Sequence, residues 1–379
     1  MALESGLVRV IVAPDSLKGT VSARDAARAI AAGWRELRTQ DTVTLKPMAD
    51  GGEGTLDAVE TSHPGAVRHA AVVRGPQMRE VHAEWLMLDD GTAVVEMAQS
   101  SGLPLVDELD PMGSHTFGVG ELIAAALDAG ADRLIVGLGG SASTDGGAGA
   151  LAALGARFLD SAGRPVPLGG GGLAELDRIV LDDLRPAPPR GVVCLSDVTA
   201  PLRGAHGAAA VFGPQKGATA VQVRELDRSL ARLAALLGDS GNEAGDGAAG
   251  GTSFGLRAAW GAQLRPGADQ LAALTGLTDE LSEGDVLITG EERFDRTSLQ
   301  GKVVGHLLEL AQSYGATVCI VAGQAEDPRS NPDSRGLVTL TELAGGSANA
   351  IAEPERWLRA AGAELAAREP WEPRRTEWL

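Results

Sequence analysis

The chain has 379 residues, 44% hydrophobic and 22% charged, an ordinary composition for folded domains. At ~100–200 residues per domain it is long enough for two, each with a sizeable core. Its formal net charge of −18 excludes nucleic acid and anionic membrane as expected partners, and leaves any anionic small substrate to be held by local cations.

In chain order, LVRVIVA (7–13) predicts a buried strand, and Ser22 predicts the N-cap of an amphipathic helix running to about residue 37. DTVTLKP (41–47) reads as the next strand, and TLDAVE (55–60) opens a helix. Between residues 66 and 97, short alternating segments with turn signals between them predict an antiparallel meander. TFGVGELIAAALDAGA (116–131) predicts a helix, and DRLIVGLGG (132–140) a buried strand with a glycine-rich exit. A further strand falls at 191–198, an amphipathic helix at 220–238, and a glycine-rich loop or hinge at 239–253. Strand patterns at 284–291, 316–324 and 335–343 then alternate with helices at 303–315 and 353–368. The simplest assembly folds the first ~60 and last ~100 residues into one parallel-sheet domain, with the middle inserted as a second.

Cys194 and Cys319 sit alone in apolar runs, so buried thiols in a reducing compartment are expected, with no disulfide framework. The first residues carry no basic and apolar leader pattern, and no stretch approaches the ~18 apolar residues of a membrane helix. A cytoplasmic protein is therefore expected. Arginine dominates the 33 basic residues, and only Lys18, Lys46, Lys216 and Lys302 are lysines. All four fall in or beside polar, Gly- or Pro-marked segments, where a compact point charge has a use that arginine does not fill.

Two loops repeat a pattern. PMADGGEGT (47–55) and STDGGAGAL (143–151) each place an aspartate, Asp50 or Asp145, before paired glycines, Gly51–Gly52 or Gly146–Gly147. Glycine removes the Cβ, so backbone N–H groups can converge on an anion, and a following helix N-terminus adds partial positive charge. The carboxylate can hold Mg²⁺ or take a proton. A turn with an N-cap is the plainer use of either loop taken alone. ITGEERFDRTSLQGK (288–302) places Glu291, Arg293 and Asp295 at alternate positions beyond a strand, where α/β sheets bind ligands. Asp197 follows another strand, Lys216 follows a Gly-Pro turn, and Asp15, Ser16 and Lys18 leave the first strand.

Several devices are missing: a phosphate loop of the G-x-x-x-x-G-K-[ST] type, the protein-kinase signature set, a G-x-S-x-G elbow, and metal-ligand spacing among the six histidines. One rival is present. GLGGSA (137–142) fits G-x-G-x-x-A after a strand, with Asp160 about twenty residues on, as a dinucleotide-dependent oxidoreductase would require.

Taken together, VIVAPDSLKGTVSA, MADGGEGT, GLGGSASTDGGAGALAALGA, DVTAPLRGAHGAAAVFGPQKGA and LITGEERFDRTSLQGK resemble, in order and spacing, the bacterial glycerate kinase family, the type lacking a P-loop. The resemblance spans nearly the whole chain. It implies phosphoryl transfer from ATP, with Mg²⁺, to a hydroxyl of D-glycerate, usually giving 2-phosphoglycerate. It also implies two α/β domains: a Rossmann- or flavodoxin-like parallel sheet from residues 1–65 and 283–379, and an inserted mixed α/β domain at 66–282, with the active site in the cleft between them.

On that reading Asp197 or Asp295 accepts the hydroxyl proton, with Lys18 a further catalytic candidate. Asp50, Asp145 and Glu291 are the candidates for Mg²⁺. Asp15, Ser16, Gly51, Gly52, Ser141, Gly146, Gly147, Lys216, Arg293 and Lys302 are the candidates for binding nucleotide or acid. The expected partners are ATP and a glycerate-like acid, with a homodimer left open. The chain departs from the family pattern at Thr144, Ala200, Glu292 and Gln300, where Asn, Asn, Gly and His are usual. Those departures make a kinase for a related small sugar acid the alternative, beside a binding protein that keeps the fold without turnover.

Overall fold

The computed structural model describes residues 7–17, 19–299, 303–326 and 336–368. Lys18, Gln300 and Lys302 lie outside the described residues.

The chain opens with β1 (Arg9–Pro14), buried in all but its first residue. Helix α1 (Ala23–Leu37) begins where Ser22, in extended backbone, accepts the Asp25 N–H and so satisfies one of the helix's orphan donors. β2 (Thr42–Leu45) and α2 (Thr55–Ser62) follow. The predicted meander is β3 (Val67–Arg74), β4 (Glu80–Met87) and β5 (Thr92–Glu96), paired antiparallel. Next come α3 (Ala98–Ser101), α4 (Phe117–Asp128), β6 (Arg133–Gly137), α5 (Ala148–Ala153), β7 (Arg157–Leu159), β8 (Arg178–Val180) and β9 (Val192–Leu195). α6 (Ala208–Phe212) precedes α7 (Ala220–Leu236), which a reciprocal Thr219–Gln222 capping box starts. α8 (Thr252–Trp260), β10 (Gln263–Arg265), α9 (Gly267–Leu274) and α10 (Leu277–Glu280) lead to β11 (Val286–Phe294). α11 (Val303–Tyr314), β12 (Thr317–Ala325), β13 (Leu337–Thr339), α12 (Leu340–Ala344), α13 (Ser347–Ala352) and α14 (Pro354–Ala366) complete the chain. The expected strand at 335–343 is thus three residues long. Beyond it Thr339 and Glu342 bond side chain to side chain at 2.7 Å, around the first turn of α12.

Two compact units result. The first comprises the chain to Asp50, Asp57–Pro64 and the chain from Ala268. Its sheet runs β2-β1-β11-β12-β13 with every pairing parallel. Numbered within the unit, that order is 2-1-3-4-5, the flavodoxin-like form of a doubly wound sheet. Its switch point lies between β1 and β11, where the Asp15 N–H donates to Gly290 O. The unit starts again at 268 and not at the expected 283, because residues 268–282 bond to its other parts. Lys46 Nζ donates to Thr275 O and to Glu280 Oε1, both at 2.7 Å, and His306 Nδ1 lies 2.6 Å from Asp269 Oδ1. Helices α1 and α14 pack backbone to backbone, since a Cβ on Gly33 would lie 1.8 Å from Arg359 O and one on Gly362 2.1 Å from Ile30 O.

The second unit comprises Gly51–Leu56 and Gly65–Gly267. Its six-stranded sheet runs β10-β9-β6-β5-β4-β3, parallel from β10 to β5 and antiparallel beyond. The core is Leu- and Ala-rich, with Trp85, Phe158 and Phe254 the large rings. This topology overturns the oxidoreductase alternative. A dinucleotide fold needs a helix directly after the glycine turn and the next strand in the same sheet. Here α5 starts only at Ala148, and β7 pairs with β8 outside the main sheet. Asp160 closes its own turn instead, with its carboxylate on Arg164 Nε at 2.9 Å.

Cys194 and Cys319 are both buried, and neither is in a disulfide. Among the described residues no helix is long and apolar enough to cross a membrane.

Candidate active site

The paired glycines of both loops are taken up by the protein itself. In the first loop Gly51 has φ +88°, and a Cβ there would lie 2.8 Å from the Leu195 Cβ; one on Gly139 would lie 2.4 Å from the Gly52 Cα. The Gly51 carbonyl accepts the Gly139 N–H at 3.1 Å. Gly51 and Gly52 therefore let the loop lie flat against the ends of β6 and β9. In the second loop Gly146 has φ +64°, and a Cβ would meet Leu233 Cδ2 at 2.2 Å. Its N–H donates to Gly250 O at 3.0 Å, and the Gly147 N–H donates to Asp145 Oδ1 at 3.1 Å. The expectation that Gly146 and Gly147 cradle an anion is corrected, because their donors are used inside the loop.

The same holds for Asp145 as a metal ligand. Its carboxylate is fully buried, and besides Gly147 it accepts from Thr116 N–H, Thr116 Oγ1 and Gly149 N–H at 2.8–3.2 Å. Four donors on one buried carboxylate fix the loop to the start of α4 and α5 and leave no face for a cation.

Above this loop the second unit holds a cavity of about 740 Å³, within the ~300–1,000 Å³ usual for small-molecule sites. The glycine-rich exit of β6 (Gly139, Gly140, Ser141) forms one wall, and residues at the ends of β5 and β9 (Glu96, Ser196) contribute beside it. The backbone at Ala249 and Gly250, both with positive φ, forms another part. For Ala249 that conformation is strained, as backbone at functional sites often is. Lys216, on the 3-10 turn Pro214–Lys216, reaches into the lining with only 2% of its surface exposed. Its Nζ donates to Ser141 Oγ at 2.8 Å and to the Ser143 carbonyl. Burial pushes this amine down to about 7, against the opposing charge of Asp145.

So two residues expected from the sequence, Lys216 and Ser141, meet at this cavity. Asp197 does not line it: its neighbours Ser196 and Val198 do, while Asp197 Oδ1 accepts the Gly267 N–H at 2.9 Å. The cavity also takes in Glu53, His82, Glu96 and Gln99, which the sequence reading did not select. Glu96 had a readable signal, as a carboxylate ending an apolar strand. It accepts the Leu56 N–H at 2.6 Å and faces the Gln99 amide at 3.3 Å.

In the first unit the remaining candidates gather along the C-terminal edge of the parallel sheet. Asp15 follows β1, with Oδ1 accepting the Ser16 N–H at 2.7 Å, and Glu291 stands in β11 beside Gly290. Asp50 ends the segment after β2 and is half-buried. Arg293, more than half exposed, lies 3.4 Å from both Asp295 Oδ2 and Glu326 Oε1. Asp295 caps the turn Arg296–Leu299 by accepting the Thr297 N–H and hydroxyl. Among the described residues no group of three His, Cys, Asp or Glu side chains is arranged for a metal ion.

A family model described as the glycerate kinase family matches residues 10–368. The chain belongs to the glycerate kinase family. Members of that family are phosphotransferases with an alcohol group as acceptor. The chain is 41% identical over 329 residues to the glycerate 2-kinase of Escherichia coli K12, covering 84% of this chain and 86% of the relative. It is 40% identical over 351 residues to the glycerate kinase of Bacillus subtilis 168, covering 90% and 91%. A crystal structure assigned as a glycerate kinase 2, from Salmonella typhimurium LT2, superposes with a TM-score of 0.80 at 36% identity, covering 96% of this chain and 98% of the other.

Proposed function

We propose that this chain transfers the terminal phosphoryl group of ATP to a hydroxyl of D-glycerate, giving 2-phosphoglycerate, in the cytoplasm. The observation that carries this reading is the family match across residues 10–368. The buried lysine on the cavity wall of the second unit supports it, because an acidic protein needs such a local cation to hold an anionic substrate. Phosphoryl transfer asks little covalent chemistry of a protein: it needs positioning, charge neutralisation and an oriented hydroxyl.

Mg²⁺ travels with nucleotide phosphates and keeps most of its waters, so one or two carboxylates suffice and no protein cage is needed. Asp50 and Glu291 are its proposed protein ligands. Bound there, the ion would neutralise charge building on the transferring group. Ser16 and Arg293, at the switch-point edge of the first unit, are proposed to hold phosphate oxygens, with Asp15 positioning Ser16 through its backbone N–H. Asp197 or Asp295 is proposed to take the acceptor's proton.

Alanine at the true base lowers kcat by ~100-fold or more, while alanine at the other aspartate leaves kcat near wild type. Wild-type kcat in both variants rejects the pair. The function is tested by coupled ADP release with glycerate, tartronate, hydroxypyruvate and longer sugar acids, and enolase coupling identifies 2-phosphoglycerate. Nucleotide turnover with none of these acids would refute the reading. The cavity is roomier than a three-carbon acid requires, which favours longer sugar acids as the second reading.

A further inference from the structure

Among the described residues two lysines are buried, and one of these two is paired with a carboxylate. Lys46 meets Glu280 Oε1 at 2.7 Å. Lys216 donates to a hydroxyl and a carbonyl, both neutral, and among the described residues it forms no ion pair. Asp145 acts on it through space, but that carboxylate is already shared among four donors. A buried charge is normally compensated by a counter-ion. An ammonium with no ion-pair partner among the described residues, on a side chain that lines a cavity, is placed to receive one from outside.

We propose that Lys216, with Ser141 beside it, seats the carboxylate of the hydroxy-acid acceptor, and that the acid supplies the counter-ion the protein does not. This rests on the kinase reading above and names where its acceptor binds. The rest of the lining favours a small hydroxy acid over a nucleotide tail. Glu53 and Glu96 repel a polyphosphate, yet they accept hydrogen bonds from hydroxyls, and Gln99 and Ser196 add further polar partners. A monoanion with hydroxyl groups therefore suits this lining, its carboxylate on Lys216 and its hydroxyls on the polar acceptors.

The assignment has a proton-linked consequence. A bound carboxylate favours the charged amine, so binding raises the Lys216 pKa from its depressed value of about 7. Above that pH the free amine is largely neutral, and acid binding takes up a proton. Well below it the amine is already charged, and no uptake occurs. The titratable groups near Lys216 are Asp145 in the adjoining loop, which acts on it electrostatically, and Glu53, His82 and Glu96, which line the same cavity.

The test is calorimetry of D-glycerate binding to the full chain, in phosphate and in Tris, at acid and alkaline sides of neutrality, with steady-state constants for both substrates. Wild type should take up close to one proton on the alkaline side and almost none on the acid side. Lys216→Met should lose the uptake and raise the KM for the acid on the order of 100-fold, leaving the KM for ATP nearly unchanged. Lys216→Arg, which keeps a permanent charge, should bind the acid without uptake and guards against a folding defect in the methionine variant. Binding without proton uptake in wild type, uptake that persists in Lys216→Met, or a rise confined to the KM for ATP would each overturn the assignment. If wild type phosphorylates glycerate while the Lys216 variants keep its KM, only the assignment falls. If wild type phosphorylates no glycerate, the kinase reading fails on its own.

Discussion

Lys46 and Lys216 are equally scarce residues with opposite surroundings. Lys46 lies in the first unit, buried between a backbone carbonyl and Glu280, and it joins β2 to the segment after α9. Lys216 lies in the second, buried beneath a cavity wall on neutral acceptors. Depth alone does not separate them, since both are less than a tenth exposed. The difference is whether the fold provides the opposite charge. Where it does, the lysine is a tie between segments; where it does not, the lysine is available to a ligand.

Three substitutions sharpen or break that contrast. The largest effect is expected at Asp145, whose removal orphans a set of buried donors in the layer below Lys216. Asp145→Ala should lower unfolding stability by ~3–5 kcal/mol in a denaturant titration. A variant that stays stable but demands more Mg²⁺ would restore Asp145 as a metal ligand. A smaller loss, ~1–3 kcal/mol, is expected for Gly146→Ala, because alanine resists φ +64° and its methyl meets Leu233. Thermal unfolding measures it, and an unchanged midpoint would mean the loop is looser than its close contacts imply. The smallest effect is at Lys46→Met. Glu280 is 45% exposed, so water takes over the lost charge, and the cost should be ~1 kcal/mol or less. The KM for the acid should not move in that variant; a rise comparable to that of Lys216→Met would erase the distinction between the two lysines.

Much of the molecule was legible in the sequence because its signals are local. Ser22 announces α1, the apolar run of β1 announces a buried strand, and the scarcity of lysine singles out Lys216. The pair Gly146–Gly147 was misread for a physical reason. Glycine before a helix serves an anion or a close neighbour equally well, and Leu233 and Gly250, which decide between these for Gly146, lie far along the chain. Glu53 and Glu96 were missed for the same reason. Nothing near Glu53 in sequence shows that it shares a cavity with Lys216, which depends on β5 lying beside β6 and β6 beside β9. The flavodoxin-like strand order is equally non-local, since β1 and β11 meet across the whole inserted unit.

That last pairing bears on how the chain is made. During synthesis β1, α1 and β2 emerge well before their partners β11 and α14, with the whole inserted unit between them. The inserted unit has all of its strands once β10 has emerged, so it can collapse first, while the opening segments stay exposed. A truncated or stalled product would therefore carry one finished lobe and an apolar, unpaired amino-terminal arm, the form that chaperones and proteases engage. The glycine contacts of α1 with α14 can form only after the inserted unit and β11 to β13 have followed, and they then close the first unit around its sheet.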